Sequence, residues 1–208
     1  MPTDRFDRFL PLAGVLAGLM FLAGLVLLRD DPPSESAVAE TFAYWQDNQG
    51  QHQIIAMILV PLISFLLVFF GSGLRRRLDH GGGGGSGHGS VAFGGAILAA
   101  AMFAVVGMLE AAMTNAAKDG NRQAVYALNQ LHSYDWLAWN VGFAALLLAT
   151  GLGAIRNAML PRWLAWATIV IGASLLTPLG FFGFIVLPVW LFVTGFWLTF
   201  RDAAPRGR

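Results

Sequence analysis

Long apolar stretches alternate with short polar ones along this chain. Residues 9–28, 54–74, 91–113 and 136–155 are each close to the ~20 residues that a helix needs to span a hydrocarbon layer. A fifth stretch, 163–200, is about twice as long and is broken at Thr177-Pro178-Leu179-Gly180. Proline disfavours helix in the residue before it, so this stretch reads as two helices joined by a tight turn. The fifth helix would then be short, at about 14–17 residues, and tilt or partial insertion would accommodate it. The predicted fold is an all-α, polytopic bundle of six crossings. The first stretch follows Arg5 and Arg8 as a signal peptide would, but it is longer than a cleavable core. The Ala37-Val38-Ala39 site lies too far beyond it, so it reads as a retained anchor.

Charge sets the orientation. Arg5, Arg8, Arg75, Arg76, Arg77, Arg156, Arg162, Arg201, Arg206 and Arg208 fall in alternate gaps; only Arg29, Lys118 and Arg122 occupy the others. Basic residues stay on the cytoplasmic side, so both termini are expected there. Five crossings would put the last three arginines outside, against this rule. Asp30, Asp31, Glu35, Glu40, Asp47, Glu110, Asp119 and Asp135 lie toward the outer side. Tyr44, Tyr126, Tyr134, Trp45, Trp136 and Trp139 fall near the outer loops, and Trp163, Trp166 and Trp197 near the inner boundary, as aromatic belts would. The whole chain, 1–208, reads as one membrane domain with outer loops at 29–53 and 114–135 and a cytoplasmic loop at 75–90. In the first outer loop Ser34 can cap a helix whose Val38, Phe42 and Trp45 share a face. In the second, Asp119-Gly120-Asn121 makes a turn before Ala124, Leu128 and Leu131 repeat at helical spacing. Both helices are expected on the outer membrane surface or capping the bundle. Gly14/Gly18, Ala100/Ala104, Gly107/Ala111 and Ala145/Ala149/Gly153 are small residues four apart that let helices approach closely in lipid.

Composition removes several function classes. The 208 residues are 56% hydrophobic and 12% charged, without a basic stripe for nucleic acid. The absence of cysteine excludes disulfides, thiolate metal sites and thiol redox chemistry. The loop sequence LDHGGGGGSGHGS lacks the Lys-Ser/Thr of a phosphate-binding loop, and His80 and His88 would lose much entropy on closing around a metal. It reads as a flexible linker, and resembles an engineered spacer.

One polar constellation stands out. His132, Asp135, Trp136, Trp139 and Asn140 form a single stripe if the fourth spanning helix begins before Trp136. Phe103, Gly107, Glu110 and Thr114 form a comparable stripe on the third. Glu110 and Asn140 both come roughly 5–6 Å inside the outer boundary at about 1.5 Å per residue. Glu110, His132, Asp135 and Asn140 can therefore face one another, with His52 near the start of the second span. An ionisable group within a span is costly and points to a site with a partner. Glu110 with His132 or Asp135 would share a proton; with His52 it would offer oxygen and nitrogen to a metal. Against this, Asp135 can cap a helix, Asn140 can bond a neighbour, and Glu110 can be solvated by headgroups.

A retinal protein would need a lysine within a helix, and Lys118 lies in a loop. An intramembrane serine protease would need Ser64 or Ser72 beside His52 or His132, which lie at other depths. Bis-imidazole haem ligation would have to use His52 and His132 near helix ends. The segments AETFAYWQDNQG, ALNQLHSYDW, MLPRWLAWATIVIG and TPLGFFGF resemble a family of uncharacterised six-helix membrane proteins of actinobacterial-type, high-GC genomes. That resemblance implies the fold and a bacterial plasma-membrane location, and brings no catalytic residues. The expectation is a non-enzymatic bundle, without a cofactor, in the lipid bilayer. Its outward-facing polar pocket would take a lipid, an ion, a small apolar ligand, another copy or a membrane partner. The alternatives are a metal-assisted hydrolase on a lipid-like substrate at the outer leaflet, and a small proton-coupled transporter with Glu110 as carrier. The transporter would need a polar path past Asn140, where 141–149 are all apolar or glycine.

Overall fold

The computed structural model describes residues 9–27, 36–81 and 87–201. Ser34, most of the glycine run, and Arg5, Arg8, Arg29, Arg206 and Arg208 lie outside them. The elements are α1 (Leu12–Leu27), α2 (Val38–Asp47), α3 (Gln49–Ile54), a π turn (Ile55–Leu59), α4 (Val60–Gly81), α5 (His88–Lys118), α6 (Arg122–His132), α7 (Trp136–Asn157), α8 (Arg162–Ser174) and α9 (Gly180–Arg201). Among the described residues there is no strand. Four helical stretches are long and apolar enough to cross a membrane: Gln49–Asp79, His88–Lys118, Arg122–Asn157 and Gly180–Arg201. With 16 and 13 residues, α1 and α8 are shorter. Leu16, Met57, Phe65, Met108, Val170 and Phe182 are among many large apolar side chains left exposed around the helices. So broad an apolar surface is unstable in water and suited to lipid, and the chain is a membrane protein.

The six longest helices pack in the order α1, α4, α5, α7, α8, α9, and α9 closes the ring on α1. Neighbours run in opposite directions. Gly14 meets Phe70 of α4 while Gly24 meets Leu59; Gly18 meets Pro188 of α9 while Gly195 meets Pro11. An even number of alternating helices leaves Leu12 and Arg201 at the same end of the bundle. The other end carries α2 and α6 and is the capped end. The tightest approach joins α5 to α7, where Gly95 lies against the backbone of Gly142 and Leu146, and Gly142 against that of Ala99. Of the small residues picked out by spacing, Gly14, Gly18, Ala100, Gly107, Ala149 and Gly153 are buried, but Ala104 is exposed. Gly95/Ala99 and Ala138/Gly142 are also small residues four apart, and they were not among those picked out.

Local chemistry explains the helix ends. Ala158 stops α7 with a left-handed backbone, φ 47°. The Arg201 guanidinium donates to the freed carbonyls of Ala158, at 2.8 Å, and of Met159. Pro161 then starts α8 from the position before its first turn. The π turn stands immediately before Pro61. A proline ring clashes with the carbonyl four residues earlier, here Met57, and the wider turn relieves that clash.

The aromatic belt holds only in part. Trp163, Trp166, Trp197 and Tyr134 are exposed, but Trp45 and Trp139 are buried. Trp139 packs with Phe21, Phe103 and Phe184 in a layer of rings from α1, α5, α7 and α9, with neighbouring centroids at 4.4, 4.7, 5.0 and 5.1 Å. Position beside a loop therefore did not make these two tryptophans interfacial; the cap and the packed core enclose them.

Candidate functional site

The cap builds the site. Helix α2 ends at Asn48, whose backbone N–H and side-chain amide both bond the Tyr44 carbonyl. Helix α6 starts on Asn121, whose side chain accepts from the Ala124 N–H at 3.1 Å. Phe42, Trp45 and Val125 from these helices close over Leu109, Met113 and Ala117 of α5. The Trp45 indole donates to Asn129 Oδ1 at 3.1 Å, tying α2 to α6. This bond turns α6 so that Val125 and Asn129 face inward, while Leu131, expected on the apolar face, is exposed.

Under the cap lies a chain of acid–base groups. Glu110 on α5 is fully buried, in the buried stripe of Phe103, Gly107, Glu110 and Thr114. Its Oε2 is 2.6 Å from Nδ1 of His52, which is also fully buried. The other nitrogen of His52, Nε2, is 3.1 Å from the Tyr44 hydroxyl. With Glu110 as a carboxylate, Nδ1–H donates to it and Nε2 accepts from Tyr44 O–H. The Trp45 ring covers the imidazole at 4.0 Å between centroids. On the other side, His132 Nε2 lies 3.5 Å from Glu110 Oε1, and His132 Nδ1 lies 2.7 Å from Asp135 Oδ2. That last pair is an ion-pair contact whose atoms are poorly aligned for a hydrogen bond.

The structure thus brings together His52, Glu110, His132 and Asp135. It does not bring Asn140 to them: Asn140 Nδ2 points to the Leu175 carbonyl at 3.4 Å, bracing the end of α8. Nor do His132 and Asp135 share a helical stripe with Trp136. Helix α7 starts only at Trp136, and a turn over 133–135 swings Asp135 back to His132. Asp135 stands at the N-cap of α7 but its side chain makes no capping bond.

Two members were missed from sequence. Tyr44, assigned to the belt, was legible as the first of Tyr44, Asn48 and His52, which repeat at spacing four. Asn129 was legible from its spacing of three to His132. Comparison with protein-family models, with curated proteins and with solved structures gives no match. Among the described residues, no three His, Asp or Glu side chains gather as ready metal ligands.

Electrostatics narrows what this arrangement can do. Two carboxylates, two imidazoles and a phenol alternate; His52 matches a donor to Glu110 and an acceptor to Tyr44, whereas a neutral His132 has one N–H to offer between two carboxylates. Apart from protons the cluster holds no positive charge of its own. It suits a cation far better than an anion or an apolar tail.

Proposed function

We propose that this chain is a non-enzymatic membrane protein that takes up a cation, a proton or a metal ion, at Glu110. The arginine asymmetry and the even, alternating ring support a reading of six crossings, with the capped end outward and both termini cytoplasmic. A bacterial plasma membrane, and kinship with the six-helix family that the loop segments resemble, complete the reading. The carrying observation is Glu110 Oε1: fully enclosed, it accepts no hydrogen bond among the described residues. A buried carboxylate oxygen without a donor is costly, and a bound cation removes that cost.

The aromatic layer favours binding over transport. Phe103 lies two turns, about 10 Å, inward of Glu110, and the ring contacts around it span the bundle. A carrier would need polar groups leading through that layer.

The test is thermal stability in detergent, for the wild type and Glu110→Gln, over added Na+, K+, Mg2+, Ca2+ or Zn2+ and over acidification. A cation held at about 100 times its Kd adds roughly 2.7 kcal/mol. At roughly 2–4 °C per kcal/mol this raises Tm by about 5–10 °C. The wild type should gain this over Glu110→Gln with at least one cation. Identical responses of the two proteins to every cation and to acid would overturn the reading.

A further inference from the structure

We infer that the cation is a borderline transition-metal ion of the zinc type, ligated by Glu110 Oε1 and His132 Nε2. This rests on Glu110 being the cation site, and it adds the chemical class and the second ligand.

Three imidazole–carboxylate contacts run through the cluster, and they differ in length. His52 Nδ1 to Glu110 Oε2 is 2.6 Å, and His132 Nδ1 to Asp135 Oδ2 is 2.7 Å. Two ligands at about 2.0–2.1 Å from a tetrahedral zinc lie roughly 3.3 Å apart. Both short contacts are therefore too close to share an ion. The third, His132 Nε2 to Glu110 Oε1, is 3.5 Å. It is too long for a charge-assisted hydrogen bond, about 2.7–2.9 Å, and it fits the separation of two ligands on one metal.

The surrounding groups have the roles that support metal ligands. A ligating imidazole usually gives its other ring N–H to a carboxylate, which fixes its tautomer and aim; Asp135 stands at Nδ1 of His132. A ligating carboxylate is itself hydrogen-bonded, and His52 holds the other oxygen of Glu110. His52 is in turn fixed by Tyr44 Oη and covered by Trp45. Glu110 is thus oriented before any ion arrives, and Asp135 lies within ion-pair distance of the far nitrogen of His132. His132 is partly exposed, 17% for its side chain, so it is the member of the pair that stands nearer the outside of the capped end. An imidazole nitrogen beside a carboxylate selects Zn2+ and its neighbours over Na+, Mg2+ or Ca2+, which prefer oxygen alone. Water would have to supply the remaining positions of the ion.

The experiment uses the full-length protein in detergent, equilibrated with Zn2+ and freed of excess. About one zinc per chain is expected, with an absorption-edge spectrum showing oxygen and nitrogen neighbours at about 2.0–2.1 Å and no sulfur. Glu110→Gln and His132→Gln should each lose the metal. His52→Gln and Asp135→Asn, which disturb only orientation, should weaken binding by about 10–100-fold. Asn140→Ala should leave it unchanged. The wild-type spectrum, which needs no variant to fold, must show imidazole scattering. Zinc retained in both ligand variants, or no zinc on the wild type, overturns the inference. If no zinc binds while another cation or acid still separates wild type from Glu110→Gln, the metal assignment fails and Glu110 stands as a cation site. If nothing separates them, both fail.

Discussion

Glu110→Ala is expected to destabilise the protein by roughly 1–3 kcal/mol, the cost of leaving the buried His52 N–H without an acceptor. Glu110 and His52 are both fully buried and 2.6 Å apart. Alanine would leave His52 Nδ1 facing a cavity, with Trp45 and Tyr44 holding the ring so that it cannot turn to water. His132 loses the same partner. Thermal unfolding followed by circular dichroism should show a Tm lower by roughly 2–12 °C, at about 2–4 °C per kcal/mol. Glu110→Gln should cost much less, because its amide oxygen still accepts from His52. Equal losses in the two variants would mean that the side chain's volume matters and the hydrogen bond does not.

The second large effect lies in the spanning region. Gly142→Ala should cost about 1–3 kcal/mol, as overpacking does, because the added methyl would fall on the Ala99 backbone of α5. The two helices meet backbone to backbone here, so neither can relax by turning a side chain. Gly94→Ala, on the neighbouring turn of α5, would meet nothing within 4 Å. Its effect should be neutral or slightly stabilising, since alanine favours helix by up to about 1 kcal/mol. Matched thermal melts decide it: a Gly94→Ala loss as large as that of Gly142→Ala would refute the close-approach account.

The spanning stretches were readable because lipid demands long apolar runs, and α4, α5, α7 and α9 follow them. The lengths were less readable. Helix α5 continues past Met113 to Lys118 because Met113 and Ala117 pack under the cap, where lipid no longer sets the rule. Helix α8, at 13 residues, is slightly shorter than expected because Leu175 already belongs to the turn that Asn140 braces. Within the site, Glu110 and its stripe came directly from helical spacing. The burial of His52 was legible in the same way. His52 and Ala56 stand eight and four residues before Val60, so ordinary helical spacing already carries the buried face of Val60, Ile63 and Leu67 to them, and the π turn brings Ile55 onto it as well. Asn140 was misplaced because shared depth and spacing do not say which neighbour a helix face meets. On α7 that face meets α8.

The most direct test of Glu110 as an outward-facing cation site uses Trp45, whose ring is 4.0 Å from His52. The contribution of Trp45 is isolated as the difference between wild type and Trp45→Phe, in right-side-out membrane vesicles. Zn2+ or an acid step, applied outside, should change this difference emission promptly, and the change should vanish in Glu110→Gln. No change, or a change only after the vesicles are permeabilised, would contradict the account.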